Sequence, residues 1–198
     1  MTDSVSRAGL ALLSFFVASV LVFAVEGQDY TPISPLRTGT YYANIPTPLT
    51  LPDGMWSVRF THRFATPINE GDEDDLWGLD GSADIGIGLA WAASEHLQLE
   101  LFRTDVQDNY EIAGKWSFLR QAPDFPVSIT FRGGLNVMTE DDIEDRTSVF
   151  LQSVVSHQFS RRLELFAVPM YANDAGSFDH AFNVAVGAIW FPRSNMGF

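Results

Sequence analysis

A chain of 198 residues is long enough for one domain with a sizeable core, and this one contains no cysteine. That excludes disulfides, thiolate metal sites, a cysteine nucleophile and a lipid-modified N-terminal cysteine. With 12 Lys and Arg against 25 Asp and Glu the formal net charge is −13, so no basic cluster exists to neutralise phosphates and nucleic acid is not expected as a partner. Hydrophobic residues make up 46% of the chain yet mean hydropathy is only +0.03, so any signal must lie in their order.

Residues 1–27 read as an export signal. Arg7 precedes Ala8–Val25, a largely apolar run free of charge, and Val25 and Gly27 place small residues where a signal peptidase reads them. An uncleaved membrane anchor is the competing reading, since a run of that length just reaches across a bilayer. The polar, Pro-rich flank and the strand pattern behind it favour cleavage. Residues 28–54 hold five prolines and lack a clear period, which predicts an extended lead-in. Its stretch Thr38–Ile45 is expected either to form an edge strand or to thread into the fold.

From residue 55 onward the chain alternates. Met55–Phe64 puts Trp56, Val58, Phe60, His62 and Phe64 on one face, with Ser57, Arg59, Thr61 and Arg63 on the other. The same period-two pattern predicts strands at Ala83–Trp91, Leu97–Thr104, Tyr110–Phe118, Val127–Leu135, Thr147–Phe159, Leu163–Tyr171 and Ala181–Phe191. The stretch Leu163–Tyr171 is the least regular, being apolar on both faces and interrupted by Pro169. Connections alternate between short (Ala92–His96, Ser160–Arg162) and long (Ala65–Ser82, Asn136–Arg146, Ala172–His180), as in outer-membrane barrels. The expected fold is all-β: an antiparallel up-and-down β-barrel of outer-membrane type over residues 55–198, with about eight strands visible.

Which face looks outward separates two barrels. A soluble lipocalin-like barrel would have to pack Trp56, Phe60, Trp91, Trp116, Phe131 and Trp190 inside a lumen only about wide enough for ordinary side chains. The opposite face carries Gly86, Gly88, Ala113, Ser128 and Thr130, together with charges of both signs. Small residues fit a narrow interior, opposite charges can pair there, and the aromatics gather near strand ends, where interfacial girdles belong. The apolar face is therefore expected to meet lipid. A lumen polar network is expected from Arg59, Arg63, Asp84, Glu100, Glu111, Lys115 and Arg132, acting as a closed plug rather than an open channel.

Several motifs carry a resemblance: PTPLTLPDG from Pro46, HRF at His62–Phe64, WGLD at Trp77–Asp80, ADIGIGLAWA from Ala83 and LRQ at Leu119–Gln121. Over roughly residues 38–191 the chain resembles a bacterial outer-membrane-type β-barrel family of unknown function. The resemblance implies a barrel in the outer membrane, inserted by the barrel-assembly machinery, and supplies no reaction, ligand or catalytic residue. Members of that family tend to run on for more strands, so the barrel here is expected to be a shortened or incomplete one.

Two further constellations bear on chemistry. The acidic run Asn69–Asp84 offers Asp72, Asp74, Asp75 and Asp80 as a weak divalent cation site, since a hard ion takes several carboxylate oxygens. Leu76 breaks the helix–loop–helix calcium template, and a solvated acidic loop is the simpler reading. A hydrolase site would need a nucleophile with a carboxylate-held histidine; His62, His96, His157 and His180 are the histidines available, His180 beside Asp179 being the best placed. No Ser-centred elbow occurs. The expected function is thus a non-enzymatic outer-membrane barrel of structural, adhesive or narrow-transport type, without cofactor. The alternatives are a soluble periplasmic lipocalin-like binder of small ligands and a membrane-embedded hydrolase.

The acidic loops generate one test. If Asp72–Asp80 and Asp141–Asp145 hold a cation, millimolar Ca²⁺ raises the unfolding temperature above that in chelator, because a ligand bound only by the folded state stabilises it by mass action. Identical melting in the two buffers would make both loops plain solvated acid.

Overall fold

A computed structural model of the chain describes residues 39–42, 45–64, 83–139, 146–160, 162–175 and 178–190. The expected signal peptide, the proposed cation ligands Asp72, Asp74, Asp75 and Asp80, and Asp141–Asp145 lie outside these residues. The protein is all-β. Two short strands, β1 (Tyr41–Tyr42) and β2 (Ile45–Pro46), pair with each other. Eight longer ones form one antiparallel sheet: β3 (Trp56–Phe64), β4 (Ala83–Ala92), β5 (Leu97–Thr104), β6 (Asn109–Leu119), β7 (Ser128–Met138), β8 (Arg146–Ser160), β9 (Leu163–Ala175) and β10 (Phe178–Trp190). Each strand pairs with its neighbours in sequence, so the sheet is a meander that curls into an open half-barrel with β3 and β10 at its edges.

The period-two pattern decides which side of each strand faces outward. Trp56, Val58, Phe60, Ile85, Ile87, Leu89, Leu99, Leu101, Ile112, Trp116, Leu151, Val186 and Trp190 all point away from the concave side and are exposed. So large a contiguous apolar surface has no place on a water-soluble monomer. Aromatic contacts run along one rim: Trp56 stacks on its register partner Trp91 with ring centroids 5.8 Å apart, and Trp116, Phe118 and Phe131 form a cluster. At the opposite rim His62 lies edge-on to Phe64 at 4.8 Å and Tyr110 meets Arg103. Both pairs look outward, so His62 belongs to the outer belt.

Two connections are shorter than their composition suggests. The segments 136–146 and 172–180 were expected to be long loops on account of Asn, Asp and Gly. Instead β7 runs to Met138 and β8 begins at Arg146, while β9 and β10 stay paired as far as Phe178 opposite Ala175. Asn173 shows why a turn-forming residue can sit in a strand. Its side-chain oxygen accepts the Val149 N–H and its carbonyl accepts the Ser148 hydroxyl, so it extends the seam with β8. Pro169 also stands inside a strand. It faces Val184 on β10, and the ladder with β8 skips the rows between Gln152–Met170 and Val155–Ala167, where proline has no N–H to offer.

The orientation generates a stability test. Ile87 and Phe131 face outward, and Arg at either position should cost about 2–4 kcal/mol in a refolding titration into lipid vesicles. Arg at Asn183, exposed on the concave face of β10, should cost far less. Equal losses at the two sets would refute the lipid-facing assignment.

Candidate functional site

The concave side of the sheet is occupied by the chain's own lead-in. After Gly39 the backbone runs up through β1 and returns through β2, closed by the Thr47 N–H on the Thr40 carbonyl at 3.0 Å. It then crosses the strand ends through Thr50 and Leu51 and turns at Gly54 into β3. Prolines suit such a finger, since it pairs with side chains rather than with a ladder and has few donors to satisfy. Its carbonyls are taken up from the barrel wall. Thr130 donates to the Pro48 carbonyl at 2.7 Å, and Lys115 donates to the Thr40 and Leu49 carbonyls at 3.0 and 2.6 Å. The Leu51 N–H donates to Gln98 at 2.9 Å and the Thr50 hydroxyl to the Glu95 carbonyl at 2.7 Å. Thr130 and Lys115 are fully buried beneath it.

Adjacent side chains on the finger point to opposite sides, and the lumen is divided to match. Tyr41 faces a polar half. Its hydroxyl donates to Glu100, which also accepts Arg132 Nε at 2.8 Å and the Gln98 amide at 2.7 Å. Arg132 reaches onward to Glu111 and, at 3.1 Å, to Gln152. The guanidinium of Arg59 sits 4.1 Å from the Tyr41 ring and 4.2 Å from that of Phe102. Phe102 can turn inward only because β4 carries glycines there: a Cβ on Gly86 would lie 2.4 Å from its ring. Tyr42 faces an apolar half built from Val154, Phe166, Val168 and Ile189, where Ile45 also packs. Gly187 leaves room for Phe166 in the same way, a Cβ there falling 2.4 Å from the ring.

Of the seven residues expected in a lumen network, the structure brings Arg59, Glu100, Glu111, Lys115 and Arg132 to one cluster. Arg63 and Asp84 face each other in register at the far end of β3 and β4, where Arg63 is exposed. Sequence reasoning missed Tyr41, Gln98, Phe102 and Gln152, and read Thr130 only as a small residue of the inner face. Thr130 is instead a hydrogen-bonding seat for the finger. The LRQ motif also gains a role. Arg120 holds the β4–β5 turn through the Glu95 carbonyl and reaches Thr50 at 3.3 Å. Gln121 accepts the Gln158 N–H at 2.7 Å and donates to the Gln158 carbonyl at 3.0 Å. Its side-chain amide thus stands in for a strand residue where β7 has not yet begun.

Among the described histidines, His96 Nδ1 lies 3.0 Å from the Ser117 carbonyl and His157 Nδ1 meets the Pro126 carbonyl. Neither is held by a carboxylate. No group of His, Asp and Glu suited to a metal occurs among the described residues. The arrangement can therefore hold a peptide segment, and its strength resides in paired buried charge.

Glu100 joins Tyr41, Gln98 and Arg132, and its removal is diagnostic. Glu100→Ala strips Arg132 of one of its two carboxylates, the more deeply buried one, and releases the Tyr41 hydroxyl, so we expect a loss of about 3–5 kcal/mol in a refolding titration. A loss below about 1 kcal/mol would mean the pair is as weak as a solvated one.

No curated protein and no solved structure matches the chain. A family model described as a membrane bound beta barrel domain (DUF5777) matches residues 38–183, which spans the finger motif and every strand through the first part of β10. The chain, with its lipid-facing belt and its filled polar interior, belongs to that family of membrane-bound β-barrels.

Proposed function

We propose that the protein is a non-enzymatic barrel of the bacterial outer membrane, held closed by its own N-terminal finger. One observation carries this reading: the interior is occupied by residues 39–42 and 45–51, seated on buried Lys115, Thr130 and Glu100. The Thr50 end of the finger lies at the short 93–96 turn, on the side that faces the periplasm in outer-membrane barrels. Export by residues 1–27 would deliver it there. A filled lumen suits a structural, adhesive or gated narrow-transport role better than free diffusion. The soluble lipocalin-like alternative fares poorly, because it needs a polar exterior, and here the outward face is apolar.

The test is electrical. The wild-type protein in planar bilayers should give little or no steady current. A Lys115→Met, Tyr41→Phe double variant keeps the strands but loses the finger's strongest anchors, and should show frequent openings. Large steady currents from the wild type would overturn the closed reading, and a water-soluble, monodisperse wild type would overturn the membrane one.

A further inference from the structure

We infer that the polar half of the lumen is a binding site for a small oxyanion, a carboxylate or a phosphate, and that the Tyr41 ring stands where this anion would sit. The inference deepens the closed-barrel reading above and rests on it. Three cations from three strands converge on that one ring. The Arg59 guanidinium of β3 lies 4.1 Å from its centroid, the Lys115 ammonium of β6 5.4 Å and the Arg132 guanidinium of β7 5.5 Å. The face of an aromatic ring carries partial negative charge and attracts cations, but only as a weak substitute for a full anion.

The charges of the cluster leave one cation in excess. Arg59, Lys115 and Arg132 stand against Glu100 and Glu111, and both carboxylates are ion-paired with Arg132. Among the described residues Lys115 and Arg59 form no ion pair. Lys115, fully buried, ends on the Thr40 and Leu49 carbonyls at 3.0 and 2.6 Å, which are neutral and belong to the finger. Arg59 lies against the rings of Tyr41 and, at 4.2 Å, Phe102, and its N–H groups find no acceptor among the described residues. Residues 39–51 contain no charged side chain, so all that the finger offers these cations is neutral. In a chain of net charge −13, a local excess of positive charge is the reverse of the general character.

The donors suit an oxyanion. A guanidinium presents paired N–H groups to a carboxylate or phosphate, and an ammonium adds three donors that turn freely. Glu100 bounds the site: it already accepts from Arg132 and Gln98, and its charge leaves the Arg59 and Lys115 side as the anion's place. A cleft lined by Ser57, Arg59, Gly88 and Phe102 lies beside the Tyr41 ring. An anion bound there takes Lys115 from the finger's carbonyls and displaces Tyr41, and with it the polar anchorage of the finger. The class of solute that fits the lumen is then also the class that loosens the plug.

The test melts the full-length protein in detergent with chloride, acetate or phosphate at equal pH and ionic strength. Tyr41→Ala removes the ring and leaves all three cations, whereas Tyr41→Phe keeps a ring in place. We expect acetate, phosphate or both to raise the unfolding temperature of Tyr41→Ala by about 2–4 °C over chloride, as a ligand bound by the folded state does. Tyr41→Phe should move little, and adding Arg59→Gln to Tyr41→Ala should abolish the shift. A Tyr41→Ala chain too unstable to refold in chloride should refold in the effective anion. Identical behaviour of Tyr41→Ala in all three salts would overturn the inference. So would a shift that survives Arg59→Gln or is equal in Tyr41→Phe, because the anion would then bind elsewhere. The salt that acts tells carboxylate from phosphate. Large steady currents from the wild type would overturn the inference together with the closed reading, and a closed wild type whose Tyr41→Ala variant ignores both anions would overturn it alone.

Discussion

Hydrocarbon offers the backbone no hydrogen-bond partner, and the rest of this protein follows from that constraint. A chain that crosses lipid as strands must pair them side by side, and a strand has two faces. Whatever meets lipid has to be apolar, so polar residues are confined to every second position on the other side. Fifteen glycines and a modest 46% of hydrophobic residues are enough for such a protein because only one face needs to be greasy. The same constraint makes the interior the one place where Glu100, Arg132 and Lys115 can sit. Buried there, they have to find partners, since an unpaired charge in a low-dielectric interior is costly.

The partners come partly from the wall and partly from the lead-in, and this couples two regions that sequence places far apart. Tyr41 and Glu100 are separated by 59 positions, Lys115 and Thr40 by 75. Lys115 is instructive. Fully buried and within the cluster of Arg59, Arg132 and Glu100, its ammonium ends on two backbone carbonyls of the finger rather than on a carboxylate. Its three donors need acceptors, and a proline-rich segment with idle carbonyls supplies them. The finger and the lysine each answer a deficit in the other.

The strands were legible because period two is written in single residues. Trp56, Val58 and Phe60 against Ser57, Arg59 and Thr61 define a face before any partner strand is known, and the outward exposure of Ile87, Leu101 and Ile112 obeys the same count. Strand ends were less legible, since Asn173 and Pro169 favour turns locally and sit in strands through contacts that arise only between strands. Of the two readings open for Thr38–Ile45, an edge strand or a segment threading inward, the described residues 39–42 and 45 follow the second, whereas what they touch could not be read. A two-residue hairpin has no period, and its partners are set by the curl of the sheet. Phe102 was overlooked for a related reason. An aromatic in the inner register looks like an error until Gly86 and Gly88 on the next strand are seen to leave space for it.

The split interior also bears on how the finger is retained. Tyr41 is held by directed hydrogen bonding in a polar cluster, whereas Tyr42 and Ile45 are held by burial against Val154, Phe166, Val168 and Ile189. The two anchorages respond to different influences, because hydrophobic burial is non-directional and insensitive to charge. Loss of the polar contacts alone would leave the hairpin tethered on its apolar side.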